Sequence, residues 1–201
     1  MGVAFVAHCL LNQNSKVRDG AHCAGVYSPV VDVLRAEGWR IEQMPCPELA
    51  FSGLNRFWAV REQYDTAAYR RHCRRLATAM AGAIAARAEQ GEEIVLVGVE
   101  GSPSMGVTIT SSDPERGGRP SWPDGTPEHT GGEGIFVALG NDFTGFGAET
   151  NVTTAREILA WLQKAIHDRC PRSRYDVERL GGTFTPQMAE IRGKEMNRKN
   201  F

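Results

Sequence analysis

Apolar positions along the chain follow two rhythms. Gly2 to Ala7 is a short unbroken apolar run that gives way to polar, glycine-bearing sequence, the signature of a strand buried on both faces. Residues 10 to 24, with Asn12, Gln13, Asn14, Ser15 and Asp19-Gly20, predict a loop. Over residues 26 to 37, Val30, Val31, Val33 and Leu34 recur at helical spacing, and Gly38 closes the segment. Trp39 to Met44 predicts a second strand, stopped by Pro45 and Pro47. Residues 47 to 64 are irregular. Asp65-Thr66 then offers an N-cap for a long helix over roughly Ala67 to Gln90, whose stripe is Tyr69, Cys73, Leu76, Met80 and Ile84.

Ile94 to Val99 predicts a third strand, apolar on both faces as buried parallel strands are. Residues 111 to 134 are rich in Gly and Pro and have no period; a loop of that length is expected to act as a lid or binding loop, with Trp122 and His129 as candidate contacts. Ile135 to Leu139 is a short apolar element of either type, Phe143 to Phe146 predicts a fourth strand, and Thr153 caps a helix over about 154 to 166. Residues 169 to 201 are polar and basic. The organisation expected is an α/β domain over 1–168 followed by a C-terminal extension over 169–201. The alternation of strands and helices predicts a three-layer, Rossmann-like α/β sandwich around a short, mostly parallel sheet of about four strands.

Composition changes this picture little. The 201 residues suffice for one full core, and 41% apolar with 23% charged residues excludes disordered and fibrous classes. A formal net charge of -1 gives no reason to expect nucleic acid or a membrane surface as partner. No segment reads as a signal peptide or a membrane span, so a cytoplasmic location is expected. Oligomeric state leaves no mark on the sequence.

The candidate chemistry lies in the cysteines. There are five, Cys9, Cys23, Cys46, Cys73 and Cys170, with no Cys-x-x-Cys pair, so a metal site has to be assembled from distant parts of the chain. Cys9 follows the first strand, Cys46 the second, and the Ser102-Pro-Ser-Met-Gly106 turn the third. In a parallel sheet these three places meet at the carboxyl edge, where ligands of open α/β sheets bind. Two thiols, the Met105 thioether and two hydroxyls, Ser102 and Ser104, then converge, and soft sulfur donors select iron–sulfur clusters, zinc or copper(I). Cys73 belongs to the apolar stripe of the long helix. Cys23 reads equally as a loop residue and as a further ligand.

The segments His8-Cys-Leu-Leu-Asn-Gln-Asn-Ser-Lys-Val-Arg18, Met44-Pro-Cys-Pro-Glu48, Glu62-Gln-Tyr-Asp-Thr66 and Gly98-Val-Glu-Gly-Ser-Pro-Ser-Met-Gly-Val107 together resemble the thiouracil desulfurase (TudS) family, and its branch of TudS-related desulfidases most of all. The likeness runs over roughly residues 1 to 168. It implies a [4Fe-4S] cluster held by three cysteines, one per loop, whose remaining iron takes sulfur from a small thiocarbonyl substrate while water supplies oxygen. Cys9 and Cys46 match two of the ligands. Glu42, four residues before Cys46, matches the acid, and Ser102 its hydroxyl neighbour. Met105 stands where the third cysteine is expected. Three outcomes follow: Cys23 substitutes, two thiolates and Met105 hold a labile cluster, or the cluster is lost and the pocket kept. The resemblance therefore implies a desulfidase, with two other readings beside it. One is a cluster-free binding protein for a small heterocycle, the other a zinc site from Cys9, Cys46, Cys23 and a histidine.

Overall fold

The computed structural model describes residues 2–17, 20–113, 129–141 and 176–179. In chain order its elements are β1 (Gly2–Val6), α1 (His8–Leu11), a 3₁₀ turn (Gln13–Ser15), α2 (Ser28–Ala36), β2 (Arg40–Gln43), α3 (Pro47–Ser52) and α4 (Arg61–Tyr64). They continue with α5 (Ala67–Glu89), β3 (Glu93–Gly98), β4 (Ile109–Ser111), β5 (His129–Gly131), α6 (Ile135–Asn141) and β6 (Asp176–Arg179). The strands form a sheet of order β2-β1-β3-β6, and β4 pairs with β5 in a separate two-stranded ribbon. β1 is parallel to β2 and to β3, while β6 joins the far edge antiparallel to β3. The fold is α/β, as the sequence predicts.

The layers follow from the strand order. With β1 in the middle, the step from β1 through α2 to β2 moves one way across the sheet. The step from β2 through α5 to β3 moves the other way. Two right-handed crossovers in opposite directions put their helices on opposite faces. Every residue of β1 is therefore buried, and β3 is buried from Ile94 onward. α2 turns Val30, Val33 and Leu34 to the core, and α5 turns Tyr69, Cys73, Ala77 and Ile84. Thr66 caps α5 as expected, its hydroxyl accepting the Tyr69 N–H at 3.2 Å.

The structure differs from the sequence reading in three places. Ile135–Asn141 is helical, because the carbonyls of Pro103 and Ser104 accept the N–H groups of Ile135 and Phe136 at 3.0 and 3.1 Å and so satisfy donors that open a helix. The 111–134 stretch is entered from β4, which ends at Ser111, and carries β5 near its far end; the two form an antiparallel ribbon with Ile109 opposite Gly131. The fourth strand of the sheet is Asp176–Arg179, inside the segment read as an extension. Strand Phe143–Phe146, the helix over 154–166, Trp122 and Cys170 lie outside the described residues.

The turn after β3 is packed against its neighbours backbone to backbone. A Cβ on Gly98 would overlap the Met105 carbonyl, and one on Gly134 would overlap the Ser104 carbonyl. Gly98→Ala and Gly134→Ala are each expected to destabilise by about 1–3 kcal/mol, the usual cost of overpacking. Gly82→Ala, on the exposed side of α5 with open space around it, is expected to stabilise by about 0.5–1 kcal/mol. Urea unfolding of the three variants checks the order; a Gly134→Ala protein as stable as the parent would contradict it.

Candidate functional site

Cys9 sits in α1, the single helical turn that follows β1 directly, and is half-buried. Cys46 is the N-cap of α3 and also half-buried. Pro47 occupies the first position of that helix, where its missing N–H costs nothing. The Cys46 sulfur accepts the Leu49 N–H at 3.4 Å, so the helix start aims the thiol. Ser102 opens the turn after β3. The three loops lie at the carboxyl edge of the parallel strands, as expected.

Glu48 ties them together. It lies in the first turn of α3, where a carboxylate suits the helix dipole. Its Oε1 accepts the Ser102 hydroxyl at 3.3 Å, and its Oε2 pairs with the Arg56 guanidinium at 3.5 Å. Arg56 is buried and also donates to the Ser15 carbonyl at 2.7 Å and the Gly53 carbonyl at 3.1 Å. One guanidinium thus joins the first loop, the end of α3 and the site carboxylate. The Tyr69 and Ser104 hydroxyls form a buried 2.6 Å hydrogen bond under the same turn.

The thiols are held neutral. Burial pushes Cys9 up to about 12; Lys16 opposes this, while charge on Cys46 and Glu48 adds to it. Burial likewise raises Cys46, reinforced by Glu48 and opposed by the Leu49 N–H and Arg56. Tyr69 is raised by burial, then by Glu48 and Cys73. Lys16 is lowered by burial, and its charge is favoured by Cys9 and Cys23.

The other predicted residues are placed as follows. Glu42, the acid implied by resemblance, pairs through Oε1 with Arg87 at 2.7 Å and Arg40 at 3.5 Å. The carboxylate acting on both thiols is Glu48. Ser102 is committed to its turn: its hydroxyl accepts the N–H groups of Met105 at 3.0 Å and Ser104 at 3.3 Å while donating to Glu48. Met105 is buried at 4% exposure and belongs to the hydrophobic core. Cys23 is exposed, its thiol donating to the Val26 carbonyl at 3.5 Å. Cys73 is core, with burial raising it to about 12. Among the described residues, no three His, Cys, Asp or Glu side chains lie close enough to hold a single metal ion. None of the described helices is long and apolar enough to cross a membrane.

Sequence reasoning missed Arg56 and the organising part played by Gln13, whose side chain links Cys9 to the following loop. Glu48 was visible as the residue after Cys-Pro, but only the structure shows that it bonds Ser102 and Arg56.

This geometry defines a thiol-bearing site at the carboxyl edge of a small α/β sheet. Residues 1–119 match the family described as "Putative 2-thiouracil desulfurase", and the chain belongs to that family. A relative from Methanocaldococcus jannaschii, named "Uncharacterized protein MJ0003", is 32% identical over 105 residues, covering 52% of this chain and 67% of that protein. No solved structure matches the chain.

Thiolate, not thiol, is the reactive form, so the raised cysteines are expected to be sluggish nucleophiles. With iodoacetamide at neutral pH, Cys23 should be alkylated before Cys9, Cys46 and Cys73, which should react at least about tenfold more slowly. Rates for Cys9 and Cys46 should climb as pH rises toward the raised values. Peptide mass spectrometry reads each site; Cys9 labelling as fast as Cys23 would contradict the burial argument.

Proposed function

We propose that this protein removes sulfur from a small thiocarbonyl compound, exchanging the C=S sulfur for oxygen from water and releasing hydrogen sulfide. The observation that carries the reading is the convergence of Cys9, Cys46 and the Glu48–Ser102 pair at one sheet edge. Membership of the desulfurase family agrees with it. The overall exchange is a hydrolysis: R₂C=S plus H₂O gives R₂C=O plus H₂S, with no change of oxidation state.

The donor set suits a thiolate-held group at two positions. Cys9 and Cys46 are close enough for charge on one to raise the other, and the Leu49 N–H already points at the Cys46 sulfur. A [4Fe-4S] cluster bound there would supply a thiophilic iron for the substrate's sulfur. The chain's own residues do the rest. Glu48, steadied by Arg56 and Ser102, accepts a proton from the attacking water and returns one to the departing sulfur. Ser102 fixes the carboxylate's direction. Arg56, buried and bonded to two backbone carbonyls, keeps α3 registered against the first loop.

A second reading is favoured by one observation. Met105, which stands where the resemblance expects a third cysteine, is packed in the core, which suits a cluster-free protein that binds a small heterocycle.

Sulfide release from 2-thiouracil, on anaerobically purified and reconstituted full-length protein, separates the two. Turnover is expected, with Cys9→Ser and Cys46→Ser falling to background. Glu48→Gln should slow turnover by about 10²–10⁴-fold, the usual range for losing a general acid–base group. Glu42→Gln should stay within about twofold, since surface ion pairs contribute little. Saturable binding of 2-thiouracil without sulfide release would establish the second reading instead.

A further inference from the structure

We propose that the buried turn Gln13–Ser15 sets the spacing between the Cys9 thiol and the Glu48 carboxylate, with Gln13 as the positioning residue for Cys9. The inference rests on the proposed function and concerns a residue that serves it without touching the reacting groups.

The first observation is that Gln13 lies in the core. It is 1% exposed and stands with Phe5, Leu34 and Met44 among the largest fully buried side chains. Glutamine is mostly an exposed residue, and an amide taken out of water costs free energy unless its polar atoms are bonded. A leucine or methionine would fill the same space without that cost. Both ends of the amide are used: its NH₂ donates to the Cys9 carbonyl at 2.5 Å, and its oxygen accepts the His22 N–H at 3.1 Å. A satisfied buried polar group of this kind specifies one arrangement of the segments it joins.

The second observation is where the bond to Cys9 falls. α1 ends as the Asn12 N–H donates to the His8 carbonyl at 2.8 Å. The next donor of a continuing helix, the Gln13 N–H, would take the Cys9 carbonyl. It donates to the Gly25 carbonyl at 2.6 Å instead, and the Gln13 side chain supplies the donor that Cys9 would otherwise lack. One residue therefore closes the turn that carries Cys9 and ties that turn to residues 22–25. Tyr27, donating to the Leu10 carbonyl at 2.9 Å, adds a further tie between the same two segments.

The third observation is what holds the other end of the turn. Ser15 is also 1% exposed, and its hydroxyl donates back to the Asn12 carbonyl at 2.7 Å. Its own carbonyl accepts the Arg56 guanidinium at 2.7 Å, and Arg56 pairs with Glu48 at 3.5 Å. A path of direct contacts thus runs from the Cys9 carbonyl through the Gln13 amide, the 3₁₀ turn, the Ser15 carbonyl and Arg56 to Glu48. Cys9 and Glu48 leave the sheet on separate strands, β1 and β2, and lie beyond their last paired residues, Val6 and Gln43. Strand register alone leaves their mutual spacing open, and the buried turn closes it. The spacing matters because a displacement of about 1 Å between reacting groups can cost about 10²-fold in rate.

Two full-length variants test the assignment. Gln13→Met keeps the reach and bulk of the side chain but makes neither hydrogen bond, and Gln13→Asn keeps the amide one carbon short of its partners. In protein without added iron, iodoacetamide labelling at a single pH is read as the ratio of the Cys9 rate to the Cys46 rate. Gln13→Met is expected to raise that ratio about five- to tenfold, the factor that goes with one lost hydrogen bond, while Cys46 itself stays within about twofold of the parent. In anaerobically reconstituted protein, kcat for sulfide release from 2-thiouracil should fall about 10²-fold with KM within about threefold. Gln13→Asn should move both readings the same way by less, and it decides the matter where Gln13→Met does not fold. A Gln13 that only stabilises the fold would lower the urea midpoint and leave the labelling ratio and kcat at the parent's values, which overturns the proposal. Equal acceleration of Cys9 and Cys46 would mean general loosening and overturns it as well. In a parent that releases no sulfide the proposed reaction fails, and the labelling ratio alone then decides the positioning role.

Discussion

Everything at the site depends on β1 being hydrogen-bonded on both sides in parallel. Val6 is paired with Gln43 of β2 and with Val97 of β3, so the last residues of three strands stand level. The ladder runs one step further: Met44 donates to the Val6 carbonyl at 2.8 Å and Ala7 to the Val97 carbonyl at 2.9 Å. From that common line Cys9 is three residues past Val6, Cys46 three past Gln43, and Ser102 five past Val97. Positions far apart in sequence become neighbours because one register fixes all three exits. An antiparallel arrangement would have sent the middle loop to the opposite edge. β1 can hold this place only because all five of its residues are buried and none needs solvent.

What the strands bring together, a small set of polar contacts then organises. The edge is partly shielded from water, so each charge there needs a partner. Glu48 has Arg56 and Ser102, and Arg56 has two carbonyls besides. The result is a carboxylate with a fixed direction beside thiols kept protonated by their surroundings. A metal bound there would have to displace those thiol protons, and its affinity would therefore rise with pH.

The parts legible in the sequence are those set by local pattern. Unbroken apolar runs gave β1 and β3, the Tyr69–Cys73–Ile84 stripe gave α5, and Thr66 gave its cap. The convergence of Cys9, Cys46 and Ser102 was legible because it follows from topology alone. The surroundings of Glu42 and Glu48 depend on strand phase and on where α3 begins, which the sequence does not specify. Glu42 lies within β2 and meets Arg87 from the end of α5, whereas Glu48 lies in the first turn of α3 and accepts the Ser102 hydroxyl. The helical state of Ile135–Asn141 was hidden for a different reason: the carbonyls that cap it come from the Ser102 turn, about thirty residues earlier, so no local window contains them. The edge strand Asp176–Arg179 is paired with β3 across a gap in sequence of the same unreadable kind.

The Ser102–Gly106 turn holds its shape independently of the side chain at position 105. Its backbone is specified by groups other than the residue 105 side chain. The Ser102 hydroxyl accepts two N–H groups, the Met105 carbonyl takes the Val99 N–H at 3.0 Å, and Gly106 donates to the Ser102 carbonyl at 3.2 Å. Thr110 donates its hydroxyl to that same Ser102 carbonyl at 3.1 Å. A cysteine or a methionine at 105 would meet the same turn. Methionine, with a longer and apolar side chain, gains by burial in the core, and burial withdraws its sulfur from the edge. The turn therefore keeps its other task, directing Glu48 and capping α6, whichever sulfur occupies the position.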